Sequence, residues 1–258
     1  MITGIVVALP EELATLTSKK MAKGRCVFMA ENVIVAYSGA GPVNAEAAAE
    51  LLIAEGAARL ISWGCAAALS AALKPGDLIL ADKLIDAGNS EIAVNAAWLD
   101  HAKNSLAHFV AVQSGHLAES LNLVSTGKEK RQLHANTGAI AVDMESSAVA
   151  KAARQNRLPF LSIRVIADPV TMDLPRAIDY SLNDQGDVVL GKLLLFLFLH
   201  PAELPGLIKL GLHFNTAKKT LKLVAKHFDS VTYFGFDKEI VTEDQTQDER
   251  QKTKGESA

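Results

Sequence analysis

The chain has 258 residues, 49% of them hydrophobic and 5% aromatic, with a formal net charge of −3. That size and apolar content fit one α/β domain with buried strands and exclude a disordered or fibrous chain. The charge gives no bulk attraction for nucleic acid. The two cysteines, Cys26 and Cys65, make no metal or redox spacing and point to a reducing compartment.

Residues 2–9 form a continuous apolar run with β-branched members, the pattern of a buried first strand and not of a signal peptide. Pro10-Glu11-Glu12 then opens a helix. Acids there either favour the helix dipole or, as with Glu12, face a crevice at the strand's end. Residues 26–29 and 33–38 read as a hairpin-like pair. Ser38-Gly39-Ala40-Gly41-Pro42 turns into a helix over 44–55. Gly39 and Gly41 either serve that tight turn or present backbone N–H groups to an anion such as phosphate. Residues 59–63 are a further buried strand, followed by a loop, Gly64-Cys65-Ala66-Ala67-Ala68-Leu69. Lys74-Pro75-Gly76-Asp77 leads into the next strand.

Residues 86–124 read as mixed strand and helix, with Trp98 and Phe109 as core or pocket wall. His101, His108 and His116 show no ligand spacing with a carboxylate, so no metal site is expected. Thr126 caps a short helix over 128–134. The stretch Ala141-Val142-Asp143-Met144-Glu145-Ser146-Ser147 ends an apolar run and begins an alanine-rich helix that reaches about Gln155. A strand that turns straight into a helix brings the helix N-terminus to the sheet edge where α/β proteins bind ligands. A carboxylate held ionised there only accepts hydrogen bonds, which suits the paired hydroxyls of a ribose. The alternative is that Asp143 or Ser146 merely caps the helix.

Residues 159–167 are the last clear strand. It ends at Asp168-Pro169, either a turn signal or a pocket carboxylate. To hold a proton near neutral pH, such a carboxyl needs a pKa raised by desolvation. Residues 188–199 are very apolar but number about a dozen, against roughly twenty for a membrane span, and Lys192 interrupts them. Residues 207–214 and 216–228 place leucines at helical spacing, with Lys218, Lys219, Lys222 and Lys226 on one side. They are either core helices with a solvated face or an interfacial pair in peripheral contact with a membrane. The expected domain is 1–230, with 237–258 a disordered tail.

Val142-Asp143-Met144-Glu145-Ser146 resembles the Val-Glu-Met-Glu-Gly/Ser signature of the nucleoside phosphorylase and nucleosidase superfamily. The resemblance implies an α/β fold, a three-layer α/β/α sandwich with a central mixed sheet. It places Met144 under the ribose and Glu145 on its hydroxyls, with Asp143 beside them. Glu12 matches the glutamate that activates water in the nucleosidases. Arg164-Val165-Ile166-Ala167-Asp168 is similar to the family's Arg-x-Ile-Ser-Asp, which puts Asp168 at the N7 and N6 edge of the base. Gly64, Cys65 and Ala66 match the segment beside base and sugar, though two of its glycines are Ala67 and Ala68 here. The arginine and threonine that bind phosphate in the uridine-phosphorylase branch correspond to Ser62 and Cys65. Phosphorolysis and hydrolysis both stay open, with phosphate as the one co-substrate in question and no metal or organic cofactor.

Together with the Pro201 to Pro205 segment, these motifs resemble hopanoid-associated phosphorylases from Ile2 to about Phe228. That resemblance implies release of adenine from adenosylhopane. A methylthioadenosine/S-adenosylhomocysteine nucleosidase and a non-catalytic nucleoside-binding protein are the alternatives. The superfamily also implies a homodimer or larger homo-oligomer. The composition fits a cytoplasmic location, which reaches the inner membrane surface if the C-terminal helices touch lipid.

Overall fold

A computed structural model describes residues 1–181 and 189–233; the expected tail lies outside them. The first apolar run is β1 (Ile2–Val7), and it lies parallel between β3 (Val33–Tyr37) and β4 (Ala57–Ala68). β2 (Arg25–Ala30) pairs antiparallel with β3, as a hairpin requires. β5 (Leu78–Ile85), β6 (Glu91–Ala93), β7 (Val112–Glu119), β8 (Ala141–Asp143) and β9 (Phe160–Asp168) complete the sheet. Its order is β2-β3-β1-β4-β8-β7-β5-β6, with β9 pairing both β4 and β5. The sheet is mixed, as expected. Half of it also curls shut, because β4, β8, β7, β5 and β9 pair in a closed ring.

Helices cover both faces. α2 (Pro42–Ala54) and α5 (Ser146–Gln155) pack on one side, around Val6, Leu60 and Ile166. α1 (Pro10–Leu16), α3 (Ala96–Leu106), α8 (Leu204–Lys226) and α9 (Phe228–Thr232) pack on the other, around Ile5, Val7 and Trp63. Neighbouring residues of β1 thus serve opposite cores, which is the two-residue period of a strand buried on both faces. α4 (Gly127–Thr137), α6 (Arg176–Ser181) and α7 (Leu190–Leu199) complete the helices among the described residues. Trp98 is fully buried core, whereas Phe109 is half exposed and stacks on His227.

Three expectations change. The segment read as a loop over 64–69 is strand: β4 runs on to Ala68, with Ala66 opposite Ile166 and Ala67 opposite Val142. Alanine keeps the extended backbone where glycine would loosen it, and its small side chain lets β8 and β9 approach from either edge. β8 is shorter than the apolar run suggested, because Gly138 takes a left-handed φ of +68° to end α4. The two C-terminal leucine segments are one 23-residue helix, α8, with Pro205 and Gly206 in its first turn, where a proline is tolerated.

α4 starts with a reciprocal cap. Thr126 Oγ1 accepts the Glu129 N–H at 3.2 Å, and the Glu129 carboxylate accepts the Thr126 N–H at 2.9 Å. Thr126→Ala should lower unfolding free energy by about 1 kcal/mol in urea titrations. An unchanged midpoint would mean that tertiary contacts alone fix this end.

Candidate active site

β1 ends where Val7 meets Trp63, but β4 continues. That overhang floors a cleft of about 760 Å³, a volume suited to a small organic ligand. β8 arrives antiparallel to β4 and delivers Asp143, Met144 and Glu145 to the same place. β1 delivers Glu12 through α1, and β9 delivers Asp168. Leu121, Leu123, Leu174 and Ile178 add an apolar wall. A second cavity of about 320 Å³, at the other end of β9, is lined by Arg154, Arg157 and Phe160 and holds no carboxylate.

The acids surround one buried guanidinium. Arg164 Nε lies 2.6 Å from Asp143 Oδ2, and the same side chain donates to the hydroxyls of Ser62 and Ser146. Arg164 pairs with Gly64 across the β4–β9 ladder. A Cβ on Gly64 would fall 2.4 Å from Arg164 Nη1 and 2.6 Å from Glu12 Oε1. Only glycine lets those two charged groups meet there. Removing one partner of a buried ion pair of this kind costs about 3–5 kcal/mol.

Glu12 accepts the Cys65 N–H on Oε1 at 2.7 Å and the Leu9 N–H on Oε2 at 3.1 Å. Burial pushes its carboxyl up to about 7, against the pull of Arg164. Burial, with Glu12 beside it, pushes the Cys65 thiol well up, which keeps it protonated. Glu145 accepts the Gly41 N–H at 2.9 Å; burial and Asp143 raise its pKa, while Arg164 lowers it. Asp168 Oδ1 lies 2.7 Å from the ammonium of Lys130, which has no exposed surface. Burial raises the Asp168 carboxyl and Lys130 opposes the rise.

Glu12, Gly41, Cys65, Ala66, Asp143, Met144, Glu145 and Asp168 therefore meet in the cleft. Gly39 and Gly64 do not line it. Gly39 turns the chain at φ +82°, and Gly64 sits behind, against Arg164. Asp143 reaches the cleft but is already held by Arg164 and by the Ser146 hydroxyl at 2.5 Å, so it serves as an anchor. The Gly41 N–H expected for phosphate is given to Glu145. Sequence reasoning missed Lys130, because Lys128-Glu129-Lys130-Arg131 looks like a solvated run. Its signal was the spacing from the helix start: Gly127 and Lys130 are the buried residues of α4, three apart on its inward face.

A family profile described as "Phosphorylase superfamily" matches residues 3–184. The chain belongs to the phosphorylase superfamily. It is 28% identical over 204 residues to the 5'-methylthioadenosine/S-adenosylhomocysteine nucleosidase of Baumannia cicadellinicola, covering 65% of this chain and 86% of that protein. The nucleosidase of the same name from Staphylococcus aureus strain Newman is 28% identical over 196 residues, covering 64% of this chain and 85% of that one. Among solved structures, the Neisseria meningitidis nucleosidase in complex with methylthio-immucillin-A superposes with a TM-score of 0.67 at 21% identity, over 89% of this chain and 99% of that one. A futalosine hydrolase mutant of Helicobacter pylori gives a TM-score of 0.66 at 18% identity, over 89% and 97% of the two chains. These superpositions establish a shared fold.

The raised Glu12 carboxyl has a consequence for stability. Its folded pKa, about 7, lies above the ordinary value of 4.5. The folded state therefore holds this proton more tightly, and the associated stability is present at low pH and lost as pH rises through about 7. The Tm of Glu12→Gln relative to the unsubstituted protein should rise steadily between about pH 5 and pH 8. A flat difference would place an ionised Glu12 in the fold throughout.

Proposed function

We propose that this protein hydrolyses the N-glycosidic bond of an adenine nucleoside, with water as the nucleophile. The observation that carries this reading is the commitment of both loop donors to carboxylates. The Gly41 N–H goes to Glu145 and the Cys65 N–H to Glu12, and the buried Arg164 faces acids. A phosphate dianion would meet Glu12 where it needs a cation. A water molecule there would meet a base whose pKa of about 7 suits proton abstraction.

The parts then divide the work. Glu145, fixed by the Gly41 N–H on Oε1, accepts from the ribose hydroxyls. Met144 packs under the sugar, which gains positive charge as the bond to the base stretches. Glu12 takes a proton as water adds to the anomeric carbon. Adenine leaves as N7 takes a proton from solvent in the cleft, the Asp168 carboxylate accepts a hydrogen bond from that N7–H, and Glu12 gives its own proton back to solvent. One proton is lost by water and one is gained by the base, so the products are free adenine and the sugar. The nucleosidase relatives support methylthioadenosine and S-adenosylhomocysteine as substrates ahead of adenosylhopane. Adenine release from methylthioadenosine should proceed equally with and without phosphate. Glu12→Gln should slow it by about 10²–10⁴-fold. Release that requires phosphate would overturn the hydrolytic reading.

A second reading, a lipid-linked adenine nucleoside, rests on the elbow of α7 and α8. Leu194, Leu195, Phe198 and Leu199 on α7 and Leu204, Ile208 and Leu212 on α8 are exposed, Phe198 at 84%. Lys192 and Lys209 are exposed among them. Among the described residues no single helix is long and apolar enough to cross a membrane, and α7 and α8 meet at 107°. α7 packs on α6, whose Ile178 walls the cleft, and Arg176 Nε holds Glu203 Oε1 at 2.9 Å. The elbow thus adjoins the cleft mouth. If it seats on lipid, the protein should sediment with phosphatidylglycerol-containing vesicles, Phe198→Asp should release it, and adenosylhopane in those vesicles should yield adenine. No sedimentation would leave the soluble nucleosides as substrates.

A further inference from the structure

Lys130 is a buried cation to which the reaction just described gives no part. Its ammonium donates to Asp168 Oδ1 at 2.7 Å, to the Met172 carbonyl at 2.8 Å and to the Pro169 carbonyl at 3.2 Å. Three donors meet three acceptors, so the group is fully satisfied away from water. The segment around it is laced to the Asp168 turn. The Gly127 N–H donates to Asp173 Oδ1 at 2.7 Å, and the Leu174 N–H donates to the Ser125 carbonyl at 2.7 Å. Leu174 and Asp168 both line the cleft. The start of α4 and the chain after β9 therefore form one rigid block that ends in a carboxylate.

Resting on the adenine-nucleoside reading above, we propose that Lys130 is the positioning residue that fixes the purine specificity of this site. It pins Asp168 by Oδ1 and keeps it a carboxylate, so that the group only accepts hydrogen bonds. The two adjacent donors of a departing adenine, its 6-amino group and its N7–H, match such an acceptor. A 6-oxo purine presents an oxygen in place of the amino group and is repelled. Without Lys130, the buried and unpaired Asp168 takes a proton and becomes a donor as well. It then tolerates the 6-oxo group.

The test uses 9-deazaadenine and 9-deazahypoxanthine, two unreactive bases that both carry an N7 proton and differ at position 6. Calorimetric titration at pH 7.5 should give a preference for the amino base of about tenfold or more, since an unpaired buried acceptor is costly. Lys130→Met should reduce that preference to about threefold or less, whereas Lys130→Arg keeps the charge and should retain it. A folded Lys130→Met protein that keeps the full preference would overturn the proposal, as would an unsubstituted protein without one. If Lys130→Met does not fold by circular dichroism, Lys130→Arg decides: a retained preference supports the role and a lost one removes it. Base binding is read without turnover, so a protein that discriminates the bases but releases no adenine would count against the hydrolytic function and not against Lys130.

Discussion

A guanidinium with almost no access to water holds this site together. Asp143 and Glu145, from the end of β8 and the turn after it, and Glu12, from α1, converge on Arg164, and each has been taken out of solvent. Unpaired, such groups would neutralise or drive the chain apart. With Arg164 among them, the acids stay close enough to act on one small molecule. The requirement reaches back into the backbone. Gly64 must lack a side chain for Arg164 to lie beside Glu12, and Ser62 and Ser146 must present hydroxyls where apolar residues would fill the core better.

Charge in the cleft is divided by task. Glu12 and Glu145, nearest the proposed water and sugar, have proton affinities raised by burial. Asp168 has its own cation, Lys130, and is the acid most directly paired at the base end. More acid than base lines the cleft, the sign that suits a sugar developing positive charge. The same balance disfavours an anionic co-substrate, and the backbone N–H groups of Gly41 and Cys65 face carboxylates instead.

Much of this was legible in the sequence, where local rules govern. Apolar runs marked β1, β4 and β9. The Thr126 cap marked α4, and Asp143 to Ser146 marked the strand-to-helix turn. The features that escaped depend on partners distant in the chain. Residues 64–68 are strand only because β8 and β9 approach from either side. Residues 204–226 are one helix because nothing at Asn215 breaks the turn and Ala217, Leu221 and Val224 bury along one face. Glu12, Glu145 and Asp168 could be placed at strand ends from the pattern, and the resemblance to the superfamily pointed to them as pocket residues. The partners that tune them, the Gly41 N–H and Lys130, lie over a hundred residues away in one case and within an apparently solvated run in the other.

The closed ring of β4, β8, β7, β5 and β9 bears on how the site comes apart. A ring of paired strands has no frayed edge from which to unzip. Amides at the floor of the cleft, in residues 64–68, exchange with solvent only when the whole ring opens. β2, at the open end of the sheet, is free to open alone. Partial unfolding that begins at β2 therefore leaves the floor of the cleft paired.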